Sequence, residues 1–195
     1  MKHTLLIKDW LSSFLSLLFP RCCVVCGRPL AKGEECICTV CNINLPRTNY
    51  HLRKDNPVER LFWGQIPLER ATSFFFYEKG SDFRLILHRL KYGGQKEIGA
   101  IMGRYMAAEL LSSHFFQGFD VIIPIPLHKK KQQIRGYNQS EWIARGIAAV
   151  TGIPIDTESI LRKKNTETQT RLSVFERRDI VEGIFELQHP ETLAG

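Results

Sequence analysis

The sequence predicts an α/β fold, an open parallel sheet flanked by helices, carried behind a small four-cysteine module. Three observations lead there. Asp120-Val121-Ile122-Ile123-Pro124-Ile125-Pro126 is an apolar run stopped by two prolines, as in a strand buried on both faces. Stretches of helical periodicity lie before and after it. All six cysteines fall between Cys22 and Cys41, so whatever they do is local. At 195 residues, 44% hydrophobic and 24% charged, the chain is long enough for one sizeable core and a small appended module, which excludes a disordered chain.

In chain order, Ile7, Trp10, Leu11, Phe14, Leu17 and Leu18 recur at helical spacing opposite Lys8, Asp9, Ser12, Ser13 and Ser16. This predicts an amphipathic helix packed on the protein, with a membrane-surface or partner-binding helix as the alternative. Lys8 and Asp9 interrupt the apolar run, so neither a transmembrane segment nor a secretory signal is read, and the cytoplasm is the expected location.

Cys23-Val-Val-Cys26 and Cys38-Thr-Val-Cys41 are two CxxC pairs. A two-residue spacer lets one tight turn aim two thiolates at one metal ion, so each pair supplies half a tetrahedron. Gly27 and Asn42 follow the pairs directly, and these residue types enter left-handed backbone most readily. A structural Zn²⁺ held by Cys23, Cys26, Cys38 and Cys41 is therefore expected, with Cys22 and Cys36 as spare thiols. Four thiolates leave no open coordination position, so the ion would stabilise rather than catalyse. Two disulfides are the alternative, which a reducing compartment disfavours.

Pro46, Pro57, Gly64 and Pro67 break the stretch 46–70, which reads as a connector. Ala71 to Tyr77 is β-prone. A helix carrying Phe83, Ile86, Leu87 and Leu90 follows and ends at Lys91-Tyr92-Gly93-Gly94; a second runs from Lys96 to about Ser112. His88 on the first of these reads as structural. Beyond the apolar strand, Asn138 and Glu141 have capping-box spacing at the head of a helix closed by Gly152 and Pro154. Ser173 and Glu176 repeat that spacing, and Ile184-Phe185-Glu186-Leu187 reads as the start of a strand.

Ligands of open α/β sheets bind beyond the strands' carboxyl ends, which here means the basic loop from Leu127 to Gln139. Its lysines, Arg135 and the free N–H groups of the following helix suit phosphate, although a solvated basic loop is the plain alternative. The polar stretch Arg162 to Arg171 reads as a loop able to close over a ligand, or as an exposed linker. The formal charge of +7 suits an anionic partner without choosing among nucleic acid, membrane surface and phosphorylated small molecule.

Several segments together resemble the ComF-type proteins of natural competence, within the phosphoribosyltransferase superfamily. They are Phe19-Pro20, Leu90-Lys-Tyr-Gly-Gly94, Ile123-Pro-Ile-Pro-Leu-His128, Arg135-Gly-Tyr-Asn-Gln139, and Thr168-Gln169 through Arg178 to Phe185. The resemblance implies a type I phosphoribosyltransferase-like sheet over 71–195, behind a helix and double-zinc-ribbon-like module over 1–45. It implies a phosphoribosyl diphosphate ligand with Mg²⁺, a diphosphate loop at Pro124 to His128, and a covering loop at Arg162 to Arg171. The ligand-binding residues it implies are Lys91, Pro126, His128, Arg135, Asn138, Gln139, Gln169 and Arg178. It also implies a role in DNA uptake, with single-stranded DNA or competence proteins as partners and a non-enzymatic DNA-binding accessory as the alternative.

One part of the family pattern is missing. Members carry a strand ending in two adjacent acids and a Thr/Gly-rich turn, which hold the ribose hydroxyls and the 5-phosphate. The only adjacent acids here, Glu34-Glu35, lie in the cysteine module. The expectation is a C-terminally truncated or interrupted domain, inactive as a transferase on its own.

Overall fold

The computed structural model describes residues 19–165 and 183–188. The predicted N-terminal helix, the Ser173/Glu176 cap, Gln169 and Arg178 lie outside these residues. The chain forms two compact units, one of residues 19–48 with Phe75–Leu87, the other of Asn49–Phe74 with the described residues from His88 onward.

In the first unit, the chain turns back on itself through an antiparallel bridge between Cys22 and Pro29, with Cys23 N–H donating to Arg28 O at 2.8 Å and Leu30 N–H to Arg21 O at 2.7 Å. Val24 N–H reaches Cys36 O at 2.9 Å and ties the two cysteine pairs together. Helix α1, Thr39–Ile43, starts at Cys38. The β-prone run 71–77 contributes one antiparallel bridge, Arg47 to Phe75, and a bond from Phe76 N–H to Pro46 O, not a full strand.

In the second unit, the connector is fixed by helix α2, Pro57–Arg60. A capping box starts it: Asn56 Oδ1 accepts from Val58 and Glu59 N–H, and Glu59 Oε2 accepts from Asn56 N–H at 3.1 Å. The same two side chains also bond Ala71 O and N–H, so a proline-broken stretch is held by polar side chains. Helix α3, Arg84–Tyr92, and helix α4, Glu97–Leu111, both match the periodicity. Helix α5, Lys129–Arg135, occupies the stretch read as a basic loop. His128 caps its start, and Gly136 closes it at φ +82, where a side chain would be strained. Helix α6, Gln139–Thr151, follows at once.

Helices α4 and α6 approach through glycine. A Cβ on Gly103 would lie 2.2 Å from Ile143 O, and one on Gly146 2.0 Å from Ala100 O, so backbone meets backbone where side chains usually separate helices.

The predicted open parallel sheet is replaced, among the described residues, by less. Ile122 makes one parallel bridge to Ile155, with Ile122 N–H donating to Pro154 O at 2.9 Å and Asp156 N–H to Ile122 O at 3.0 Å. Pro124 and Pro126 lack N–H groups, so this edge cannot extend the ladder through them. The described residues hold one sheet, an antiparallel pair of β1, Ile160–Arg162, and β2, Phe185–Leu187.

Candidate metal centre and ligand cavity

The four CxxC thiols converge. The Sγ atoms of Cys23, Cys26, Cys38 and Cys41 lie within 4.8 Å of one another, and Cys26 Sγ stands 3.7 Å from Cys38 Sγ. Zn–S bonds of ~2.3 Å place the corners of a tetrahedron ~3.8 Å apart, so the cluster has the size of a four-thiolate site. Each pair is closed by a backbone bond four residues on, Gly27 N–H to Cys23 O at 2.9 Å and Asn42 N–H to Cys38 O at 2.8 Å, but Asn42 lies within helix α1 and does not take the left-handed geometry expected of it. Gly27 takes the left-handed geometry at φ +73. Backbone N–H groups also face sulfur, Cys38 N–H to Cys23 Sγ at 3.3 Å and Cys41 N–H to Cys38 Sγ at 3.5 Å.

The thiols are electrostatically unequal. Cys23, Cys38 and Cys41 are buried and Cys26 is exposed. The Arg28 backbone N–H and then its guanidinium bond the Cys26 sulfur and draw its pKa down to about 6. Burial pushes the Cys41 thiol up. Two positioning groups are not apparent from the sequence. Glu34 accepts from Thr39 N–H at 2.6 Å, Thr39 Oγ1 at 2.8 Å and Ala31 N–H at 2.8 Å, closing the inter-pair loop over the start of α1; these bonds hold its carboxyl below the usual range. Arg47 bonds both the backbone O and the side-chain Oδ1 of Asn42. Cys22 is exposed and lies outside the cluster.

In the second unit a cavity of about 410 Å³ opens beyond the carboxyl end of the 121–126 segment. Pro126, His128 and Asn138, of the predicted ligand residues, line it. His128 Nδ1 accepts from Lys130 N–H at 3.3 Å, so this ring is both helix cap and cavity wall. Asn138 is buried; its Oδ1 accepts from Ser140 N–H at 3.1 Å and its Nδ2 donates to Ile125 O at 3.0 Å, tying the head of α6 to the extended segment. The expected capping box with Glu141 does not form, because Glu141 instead takes Arg145, one turn ahead, at 2.7 Å.

Lys91, Arg135 and Gln139 are not in the lining. Lys91 is exposed on the last turn of α3. Arg135 lies over the Tyr92 ring at 5.9 Å, and Tyr137 OH donates to Leu90 O, so the segments 90–94 and 135–139 hold each other. Gln139 Nε2 is buried with no hydrogen-bond partner among the described residues. Lys129, Arg162 and Lys163 add cations to the wall. Burial, and then the nearby charges of Arg162 and Arg135, pull the Lys131 ammonium below its usual range, so positive charge is concentrated beside the cavity. Arg162 and Lys163 come from β1 and its end, far from the motif in sequence, and only their place in a basic stretch pointed to them.

A cluster of four cysteines in one unit and a helix-rich unit with a cationic cavity define the class. Among curated proteins the chain is similar to the DNA utilization protein YhgH of Escherichia coli O157:H7, 30% identical over 89% of this chain and 81% of the relative. The Salmonella typhimurium protein of the same name is 29% identical over the same shares. Competence protein F of Haemophilus influenzae is 30% identical over 53% of this chain and 46% of its own. No family model and no solved structure matches. The chain belongs to the ComF family.

Proposed function

We propose that this ComF-family chain serves DNA utilisation, that its second unit binds a phosphoribosyl diphosphate-type ligand, and that its cysteine module carries one structural Zn²⁺. The cavity carries this reading. It lies where the loop after an apolar extended segment meets a helix start, and His128, Lys129, Arg162 and Lys163 line it. Cations and a helix N-terminus are what a diphosphate needs. The names of the relatives, DNA utilization protein and Competence protein F, support the process.

Mg²⁺ prefers oxygen ligands and commonly rides on substrate phosphates. Among the described residues Glu141 is the one carboxylate of the lining and is already paired with Arg145, so a magnesium ion would enter on the diphosphate rather than wait in a protein cage. The bound ion would neutralise diphosphate charge. The chain's own part is to cradle the diphosphate with the cations of α5 and β1, while the Asn138 bonds fix the loop that forms one wall.

Calorimetry with 5-phosphoribosyl 1-diphosphate and Mg²⁺ tests the reading. Saturable binding that Arg162→Ala weakens at least tenfold is expected, since a cation bonded to an anion contributes about 1.5–3 kcal/mol. Absence of saturable binding by the folded, zinc-loaded protein would reject it.

A second reading, contact with single-stranded DNA by a non-enzymatic accessory, is favoured by Lys129 and Lys130, both exposed on the first turn of α5.

A further inference from the structure

We infer that Glu141 makes the cavity selective for a phosphorylated ligand bearing a sugar hydroxyl, against a bare polyphosphate; the inference rests on the cavity being the phosphate site proposed above. Among the described residues, Glu141 is the single carboxylate in a lining whose other charged groups are cationic. It stands in the first turn of α6, and Arg145 fixes it through two bonds to one oxygen, from Nε at 3.1 Å and Nη2 at 2.7 Å. The second oxygen, Oε2, has no hydrogen-bond partner among the described residues. The side chain keeps only 22% of its exposure, so the carboxylate group as a whole is partly shielded from water while its residue lines the cavity.

A site for phosphate alone gains nothing from such a group. A carboxylate a few ångströms from a polyanion repels it, and the repulsion grows as water is excluded. The carboxylate becomes favourable when the ligand places a hydroxyl there, because an O–H donated to an ionised acceptor is among the stronger hydrogen bonds. Arg145 orients the carboxylate through Oε1 and leaves Oε2 as the acceptor. Lysine and arginine elsewhere in the wall would take the phosphate end. Glu141 is thus a specificity-determining residue that discriminates by attraction to the sugar and repulsion of the free diphosphate.

The test compares 5-phosphoribosyl 1-diphosphate with inorganic diphosphate, both with Mg²⁺, by calorimetry on the full chain and on Glu141→Ala and Glu141→Gln. The expected result is a preference of about tenfold or more for the sugar-bearing ligand in the unaltered protein, the effect of one charge-assisted hydrogen bond. Both variants should lose most of that preference, with inorganic diphosphate binding unchanged or tighter. Thermal melts check that the variants fold, since they lose only a surface ion pair. If both ligands weaken in parallel, Glu141 is a structural element of the cavity and the inference falls while the phosphate site stands. If the unaltered protein binds neither ligand, the phosphate site and the inference fall together.

Discussion

At the residue scale, the cysteine module turns on differences among like groups. Zinc needs four thiolates, and metal binding expels whatever protons the thiols hold. Cys26, at about 6, is already ionised at neutral pH, whereas Cys41 is protonated there by its burial. Zinc loading should therefore release a proton from Cys41 and almost none from Cys26. Arg28→Ala removes the guanidinium, lets the Cys26 thiol rise toward its ordinary range, and should increase the protons released per zinc. Calorimetry in buffers of different ionisation enthalpy reads that number; an unchanged count would show that the backbone N–H alone governs Cys26. The sign for affinity follows: protons compete with the metal, so zinc binding weakens as pH falls, and most steeply below about 6, where Cys26 as well as Cys41 must give up a proton. The four ligands were legible in the sequence because spacing alone aims them. Glu34, Arg28 and Arg47 were not, because a side chain that clamps a turn has no fixed spacing from what it clamps.

At the element scale, the helices were legible and the sheet was not. Apolar periodicity located α3, α4 and α6 to within a residue or two, since one buried stripe suffices to declare a helix. Helix α5 was hidden because its seven residues are almost all polar and half-exposed or exposed, which reads the same as a solvated loop. The apolar run 121–126 predicted a sheet that its prolines, in the described residues, limit to a single bridge. Nor did the glycines of α4 and α6 announce themselves, for glycine within a helical pattern normally reads as a weakness. Here it is the point of closest approach. Gly103→Ala would drive a methyl group into Ile143 O, a backbone atom that no rotamer change can move aside. Such overpacking should destabilise the second unit by about 1–3 kcal/mol, read as a lowered urea midpoint. Gly118→Ala meets nothing within 4 Å but sits at φ +82, so any loss there is conformational and not steric.

At the scale of the whole molecule, the net charge of +7 predicts attraction to nucleic acid without guaranteeing use of it. If the exposed lysines of α5 contact single-stranded DNA, log affinity should fall linearly with log salt. Replacing both Lys129 and Lys130 by alanine should reduce the slope by about 1.4, because each phosphate neutralised on a single strand contributes about 0.7. Fluorescence anisotropy with a labelled oligonucleotide measures it, and a salt-independent affinity would rule out this electrostatic mode of DNA binding. Charge and family segments were visible in the sequence. The cavity was not, because its wall joins residues from 124 to 163 whose proximity exists only after α5, α6 and β1 have formed.

The bond from Tyr137 OH to Leu90 O spans 47 positions of sequence, and its donor is 6% exposed. Its consequence concerns cooperativity. Two turns that share one buried donor cannot open independently, because opening either strands a polar group away from water. In native-state hydrogen exchange the amides around Gly93 and those around Gly136 should therefore open with a common free energy and respond alike to denaturant. Tyr137→Phe keeps the ring and removes the bond, so it should split that single event into two, each turn then breathing at its own rate.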